Sequence, residues 1–183
     1  MNLDVQGMLK VFDAIGETMA AHKEYLTELD SAIGDADHGI NMNRGFHKVH
    51  DKLSAGSYTD LGALFKDVGM TLMGNVGGAS GPLYGTFFMR MSTKLAGRQD
   101  VDTVSLADAM EEGLKGIVAL GKAQLQDKTM VDALTPAVEA LKKASDNGVD
   151  LCGALEAGVA AAPARIAGGR RREPRGGRRG GRL

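Results

Sequence analysis

Apolar residues recur at Val5, Met8, Leu9, Phe12, Ile15 and Met19, a spacing of three and four that predicts an amphipathic helix. Residues 23–39, KEYLTELDSAIGDADHG, carry two glycines and three aspartates and read as a loop. A second helix is expected from about His38 to Leu53. The turn AGSYTD follows, with Thr59 or Asp60 as capping candidates. A third helix, from about Leu61 to Met73, stops in NVGGASGP. Pro82 suits the first turn of a fourth helix reaching about Leu95. After the connection AGRQDVDTVS, Ser105 is the expected N-cap of a fifth helix, with Asp108 at the capping-box position. GKAQLQDKTM reads as a loop. A sixth helix, from about Val131 to Ala144, closes at Asn147-Gly148, and a seventh begins near Leu151 and meets Pro163. No stretch alternates with period two for long enough to demand a strand. The pattern therefore predicts an all-α fold of six or seven helices with short, Gly-rich connections.

Composition narrows the picture. The 183 residues are 43% hydrophobic but only 4% aromatic, with no Trp, which favours packed helices over a β-sandwich. The single cysteine, Cys152, excludes an internal disulfide and a multi-cysteine zinc site, and is expected as a small core residue. No signal peptide is evident, and no run reaches the ~18 apolar residues of a membrane span, so a soluble, cytoplasmic protein with no membrane partner is expected. The net charge of -1 is unevenly spread. Residues 165–183 hold eight Arg and one Glu, so the chain before them carries about -8 and this tail +7. The expected organisation is a helical domain over residues 1–164 and an Arg/Gly-rich tail over 165–183.

Two loops carry candidate chemistry. Asp30, Asp35 and Asp37 lie within eight residues, followed by His38-Gly39. Crowded carboxylates repel one another and are commonly neutralised by a cation. Short oxygen ligands suit Mg²⁺, which often bridges carboxylates to phosphates. The alternative is a solvated acidic loop capping the next helix, and an EF-hand is excluded by Gly39 and Phe46 at ligand positions. The second loop, Val76-Gly77-Gly78-Ala79-Ser80-Gly81-Pro82, opens a helix. Its glycines let backbone N–H groups approach an anion, and Ser80 adds a hydroxyl. The alternative here is a tight turn needing glycine. Neither standard nucleotide fingerprint is present, yet a metal loop and a phosphate loop reinforce each other and together suggest nucleotide binding. No nucleophile-plus-base unit is found, so no catalytic acid or base is assigned. His22, His47 and His50 read as surface residues, and Met70, Met73, Met89 and Met91 as core filling.

The runs LDSAIGDADHGINMNRGF (residues 29–46) and GMTLMGNVGGASGPLYGTFF (69–88), with Gly121-Lys122 and Asp127 to Met130, closely resemble the nucleotide-binding subunit of dihydroxyacetone kinase, the DhaL family. The likeness covers roughly residues 1–161. It implies an eight-helix antiparallel α-barrel with an ADP–Mg²⁺ site at one end. By motif position, Asp30, Asp35 and Asp37 would hold two Mg²⁺ ions, and His38 and Asn41 would line the phosphates. Gly78, Ala79 and Ser80 would bind phosphate oxygens, while Leu83, Gly121, Thr129 and Met130 would pack around the adenine or its ribose. Gln126 stands where the family has a glycine. A free-standing subunit resembles the phosphotransferase-system type, in which retained ADP is rephosphorylated by a partner's phosphohistidine. The ATP so formed phosphorylates dihydroxyacetone held on a histidine of a second, dihydroxyacetone-binding subunit. The alternative implied is the nucleotide-binding subunit of an ATP-dependent dihydroxyacetone kinase, or an inactive, truncated nucleotide-binding remnant.

After about Ala161 the likeness fails. The family continues through further helices and an Asp-Pro-Gly segment that closes over the phosphates; this sequence has the Arg/Gly run instead. One reading is an arm that binds nucleic acid or acidic partners. The other is a shifted reading frame in GC-rich DNA that truncates the barrel. The absence of aromatics and the onset of the run within a predicted helix favour the second, so nucleic acid is not expected as a partner. The loss of a barrel's last helix would remove apolar burial on the scale of a domain's whole net stability, ~5–15 kcal/mol.

Overall fold

The computed structural model describes residues 2–32 and 34–162. Eight helices dominate these residues: α1 (Val5–Ala21), α2 (Lys23–Ser31), α3 (His38–Ala55), α4 (Leu61–Asn75), α5 (Ser80–Lys94), α6 (Thr103–Gly121), α7 (Met130–Asp146) and α8 (Leu151–Ala161). Two short strands, β1 (Leu3–Asp4) and β2 (Asp100–Val101), pair antiparallel with Leu3 opposite Val101. They fasten the start of the chain to the α5–α6 connection. The all-α fold predicted by the apolar spacing is the fold found.

α1 shows the link from period to packing: Val5, Met8 and Phe12 are buried, and Leu9, Ile15 and Met19 pack against the same core. Asp4 caps it by accepting from the Gly7 amide at 2.7 Å. Asp60, one of the two capping candidates, likewise accepts from Ala63 N at 3.0 Å at the start of α4. α7 ends as expected, with Gly148 at φ +71° and its amide donating to the Ser145 carbonyl.

From α3 onward each helix packs chiefly on the next, while α1 and α2 both lie against α3. Phe12 of α1 meets Phe65 of α4 and Phe88 of α5 at ring-centroid distances of 5.3 and 5.5 Å, within the range of favourable aromatic pairs. α4 and α5 approach closely because Gly69 and Gly85 face each other. A Cβ on Gly69 would stand 2.8 Å from the Gly85 carbonyl oxygen. α8 packs on α7 and makes no comparable packing with α1 or α2 among the described residues.

Four expectations are corrected. Residues 23–31 are helix α2, not loop. Both glycines of that stretch fall after Ser31, so the loop signal belongs to its second half alone. α6 starts at Thr103, with Asp102 rather than Ser105 as its N-cap. The Asp102 carboxylate accepts from Ser105 N at 2.8 Å, and the Ser105 hydroxyl receives the Asp102 amide in return. Aspartate is at least as good a cap as serine; Ser105 therefore completes a capping box, and Asp108 plays no part in it. Cys152 is exposed, because α8 turns Leu151, Ala154 and Gly158 inward. Of the four methionines, Met91 is core at 3% exposure, whereas Met70 and Met73 are 57% and 45% exposed. His22, His47 and His50 are on the surface as expected. The expected boundary at 164 and the tail 165–183 lie outside the described residues.

Candidate nucleotide and metal site

The acidic loop joins the end of α2 to the start of α3. Asp30 sits in the last turn of α2, and its Oδ2 accepts from the backbone N–H groups of Asp37 and His38 at 3.0 and 3.3 Å. It thus supplies the cap of α3 that Asp37, the N-cap residue, does not make with its own side chain. Two features let the chain turn back this tightly. Ala36 adopts φ +60°, and a Cβ on Gly34 would run into Asp30 Oδ1. As a result Asp30, Asp35 and Asp37 each bring a carboxylate oxygen within 4.8 Å of the others. Asp30 is half-buried and the other two are exposed. Three like charges this close favour a bound cation, and an all-oxygen donor set fits a hard divalent ion such as Mg²⁺.

The glycine loop lies between α4 and α5. Gly78 takes φ +64°, with open space where a Cβ would be. Gly81 is required for a different reason, since a Cβ there would strike the Val76 carbonyl. Ala79, the N-cap of α5, makes no side-chain cap bond, so the first-turn amides of α5 are available to an outside acceptor. Ser80 Oγ lies 3.3 Å from His38 Nδ1, and this contact unites the two loops. The N-termini of α3 and α5 thus converge beside the three carboxylates, placing two positive helix ends next to a concentration of negative charge.

Asn41 stands one turn into α3, 5% exposed, and backs onto the glycine loop: a Cβ on Gly77 would lie 2.8 Å from Asn41 Nδ2. Leu83, one turn into α5, meets the end of α6, where a Cβ on Gly121 would lie 3.2 Å from Leu83 Cδ2. Thr129 and Met130 are placed differently. Thr129 caps α7, with the backbone amide of Val131 donating to its Oγ1 at 3.2 Å and its own amide donating to Asp132 Oδ2 at 3.2 Å. Its bonds are to α7 rather than to the other candidates, and Met130 packs half-buried against the core. Gln126, in the connection between α6 and α7, has φ +77°, a conformation that glycine adopts at no steric cost. Arg44, which the sequence reading assigned no role, bonds to Asn41 Oδ1 at 2.7 Å and to the Asn75 carbonyl at 3.0 Å. Its position three residues after Asn41 on a helix was the available signal.

A groove of about 400 Å³ between α1 and α3, lined by Asp13, Glu17, Asn43, His47 and His50 among others, shares no residue with this site. Among the described residues, no helix is long and apolar enough to cross a membrane.

Known proteins resemble this chain over most of its length. Residues 32–180 match the model of the DAK2 domain, a span that runs past Ala161 into the Arg/Gly segment. The chain is 47% identical over 142 residues to the ADP-binding subunit DhaL of the PEP-dependent dihydroxyacetone kinase of Escherichia coli, covering 78% of this chain and 68% of that protein. It is 43% identical to a subunit of the same description from Listeria innocua, covering 77% of this chain and 71% of the other. The structure is similar to the crystal structure of the dihydroxyacetone kinase from C. freundii in complex with AMP-PNP and Mg²⁺. There the TM-score is 0.71 at 27% identity, over 87% of this chain but only 28% of that one.

Proposed function

This chain belongs to the DAK2-domain family, and from that premise we propose that it is a DhaL-type ADP-binding subunit of a dihydroxyacetone kinase. The observation that carries the reading is the contact of His38 with Ser80, which joins a carboxylate trio to an uncapped helix N-terminus. Asp30, Asp35 and Asp37 hold Mg²⁺, two ions in the full site. Gly78, Ala79 and Ser80 receive phosphate oxygens through backbone N–H groups and the Ser80 hydroxyl. His38 and Asn41 border the phosphates, and Leu83, Gly121, Thr129 and Met130 surround the base or ribose. Bound Mg²⁺ supplies charge neutralisation for the phosphoryl group. The chain's own residues supply position and fixed donors, which is the main demand of phosphoryl transfer. No side chain serves as acid or base.

The same reading makes ADP a retained cofactor. It is rephosphorylated by a phosphohistidine subunit of the phosphotransferase system, and the product ATP serves dihydroxyacetone on a second subunit, in the cytoplasm. Relatives described as PEP- or PTS-dependent subunits are 40–47% identical to this chain. Relatives described as triokinase/FMN cyclase or erythrulose kinase are 30–32% identical. That difference favours the phosphotransferase donor over free ATP.

Calorimetric titration with ADP tests the site. Binding is expected with Mg²⁺ and not without it, and Asp35→Ala abolishes it. A folded protein that binds no ADP in the presence of Mg²⁺ would sink the proposal. Adding the two partner subunits with phosphoenolpyruvate, and then with ATP alone, distinguishes the donors.

A further inference from the structure

We propose that Arg44 is a positioning residue for phosphate binding, fixing the Asn41 amide with one arm of its guanidinium and the end of α4 with another. The inference rests on the reading that Asn41 and the glycine loop border the phosphates. An amide side chain can present either its oxygen or its nitrogen to a neighbour. A guanidinium only donates, so the 2.7 Å bond from Arg44 Nη2 commits Asn41 Oδ1 as acceptor. Asn41 Nδ2 is thereby left as the donor of an amide that lies flat against Gly77, where a Cβ would stand 2.8 Å from Nδ2 and 3.0 Å from Oδ1. Among the described residues no buried side-chain nitrogen or oxygen lacks a partner, and none of them provides an acceptor bonded to Nδ2. This donor therefore sits beside the glycine loop with its hydrogen-bonding capacity unused by the described residues, and an anionic oxygen held by that loop would satisfy it.

The second arm acts on the opposite wall. Arg44 Nε donates to the carbonyl of Asn75 at 3.0 Å. Asn75 is the last residue of α4, where carbonyls have no intrahelical partner and a cation is favoured. The next residue is Val76, the start of the glycine loop. One planar fork therefore sets the orientation of a phosphate donor on α3 and the anchor point of the phosphate loop after α4. A lysine at this position keeps the charge but cannot present two donors in a fixed plane.

The test is ADP titration in Mg²⁺ on the full chain, comparing wild type with Arg44→Met, Arg44→Lys, Asn41→Ala and the Asn41→Ala/Arg44→Met pair. Both Arg44 variants are expected to bind about tenfold more weakly, and Arg44→Met to add at most about twofold in the Asn41→Ala background, because residues acting through one another are non-additive. Amide exchange over residues 75–81 in the nucleotide-free protein is expected to quicken in Arg44→Met. Wild-type affinity in Arg44→Lys would assign the role to charge and overturn the inference. So would fully additive losses, or unchanged exchange at residues 75–81. Failure of the wild type to bind ADP overturns the functional reading and this one with it; wild-type binding with indifferent Arg44 variants overturns this one alone.

Discussion

The connection from α6 to α7 places Lys122, Gln126 and Lys128 at φ +52°, +77° and +56°. Left-handed backbone costs a residue with a Cβ about 1–2 kcal/mol, so this segment stores strain close to Gly121 and Thr129. Hydrogen bonds hold it in place. The Gln126 amide donates to Asp132 Oδ1 at 2.6 Å, and Asp132 is 2% exposed. Gln126 is also the position at which the family resemblance led us to expect glycine, and the dihedral supplies the reason for that expectation. Gln126→Gly should relieve strain without touching the bond, since only the side chain is removed. We expect it to stabilise the protein by about 1 kcal/mol, raising Tm by about 2–4 °C in calorimetry. A lower Tm would show that the greater freedom of glycine in the unfolded chain outweighs the strain.

Single elements position the site through their ends. α3 begins under a cap borrowed from Asp30, and α5 begins with no side-chain cap at all. α6, which brings Gly121 to Leu83, has a complete capping box at its far end. The Asp102 carboxyl there is held below the usual carboxylate range by hydrogen bonds from the Ser105 hydroxyl and amide. A carboxyl with a depressed folded pKa stabilises above its unfolded value of about 4, and that stability is lost as pH falls through the folded value. Asp102→Ala should therefore cost about 1 kcal/mol at pH 7. The gap between wild type and variant in denaturant midpoint should narrow below about pH 4. A gap that is constant from pH 7 to pH 3 would show that the cap acts without its charge.

In the molecule as a whole, packing is deepest where α4 and α5 meet α3 and α6, and thinnest at α2, which buries no residue, and at α8, which buries only Leu151, Ala154 and Gly158. Leu61, Leu64, Val68 and Leu72 of α4 are all 0% exposed, whereas Leu155 and Val159 of α8 are 41% and 74% exposed. Local opening follows local burial. Amide exchange should therefore be fast along α2 and α8 and slowest along α4 and α5, and uniform protection of all eight helices would contradict this account. The candidate acidic and glycine loops lie at the ends of α2, α3, α4 and α5, and of these helices α2 alone buries no residue.

What could be read along the chain were properties set by near neighbours. The three-and-four spacing gave most of the helices, since a helix buries residues a turn apart. The carboxylate trio and the glycine loop were visible because each is contiguous, and the resemblance of those two runs to the family was legible for the same reason. The helix α2 was missed because glycines just beyond it dominated the local signal. Met70, Met73 and Cys152 were misplaced because periodicity defines a buried face without fixing how wide it is, and the neighbouring helices decide that. Only the tertiary structure brings His38 to Ser80, Leu83 to Gly121 and Arg44 to Asn75. Those residues belong to different helices, and their meeting depends on side-chain volumes and glycine contacts between helices, such as Gly69 against Gly85, which no one-dimensional spacing encodes.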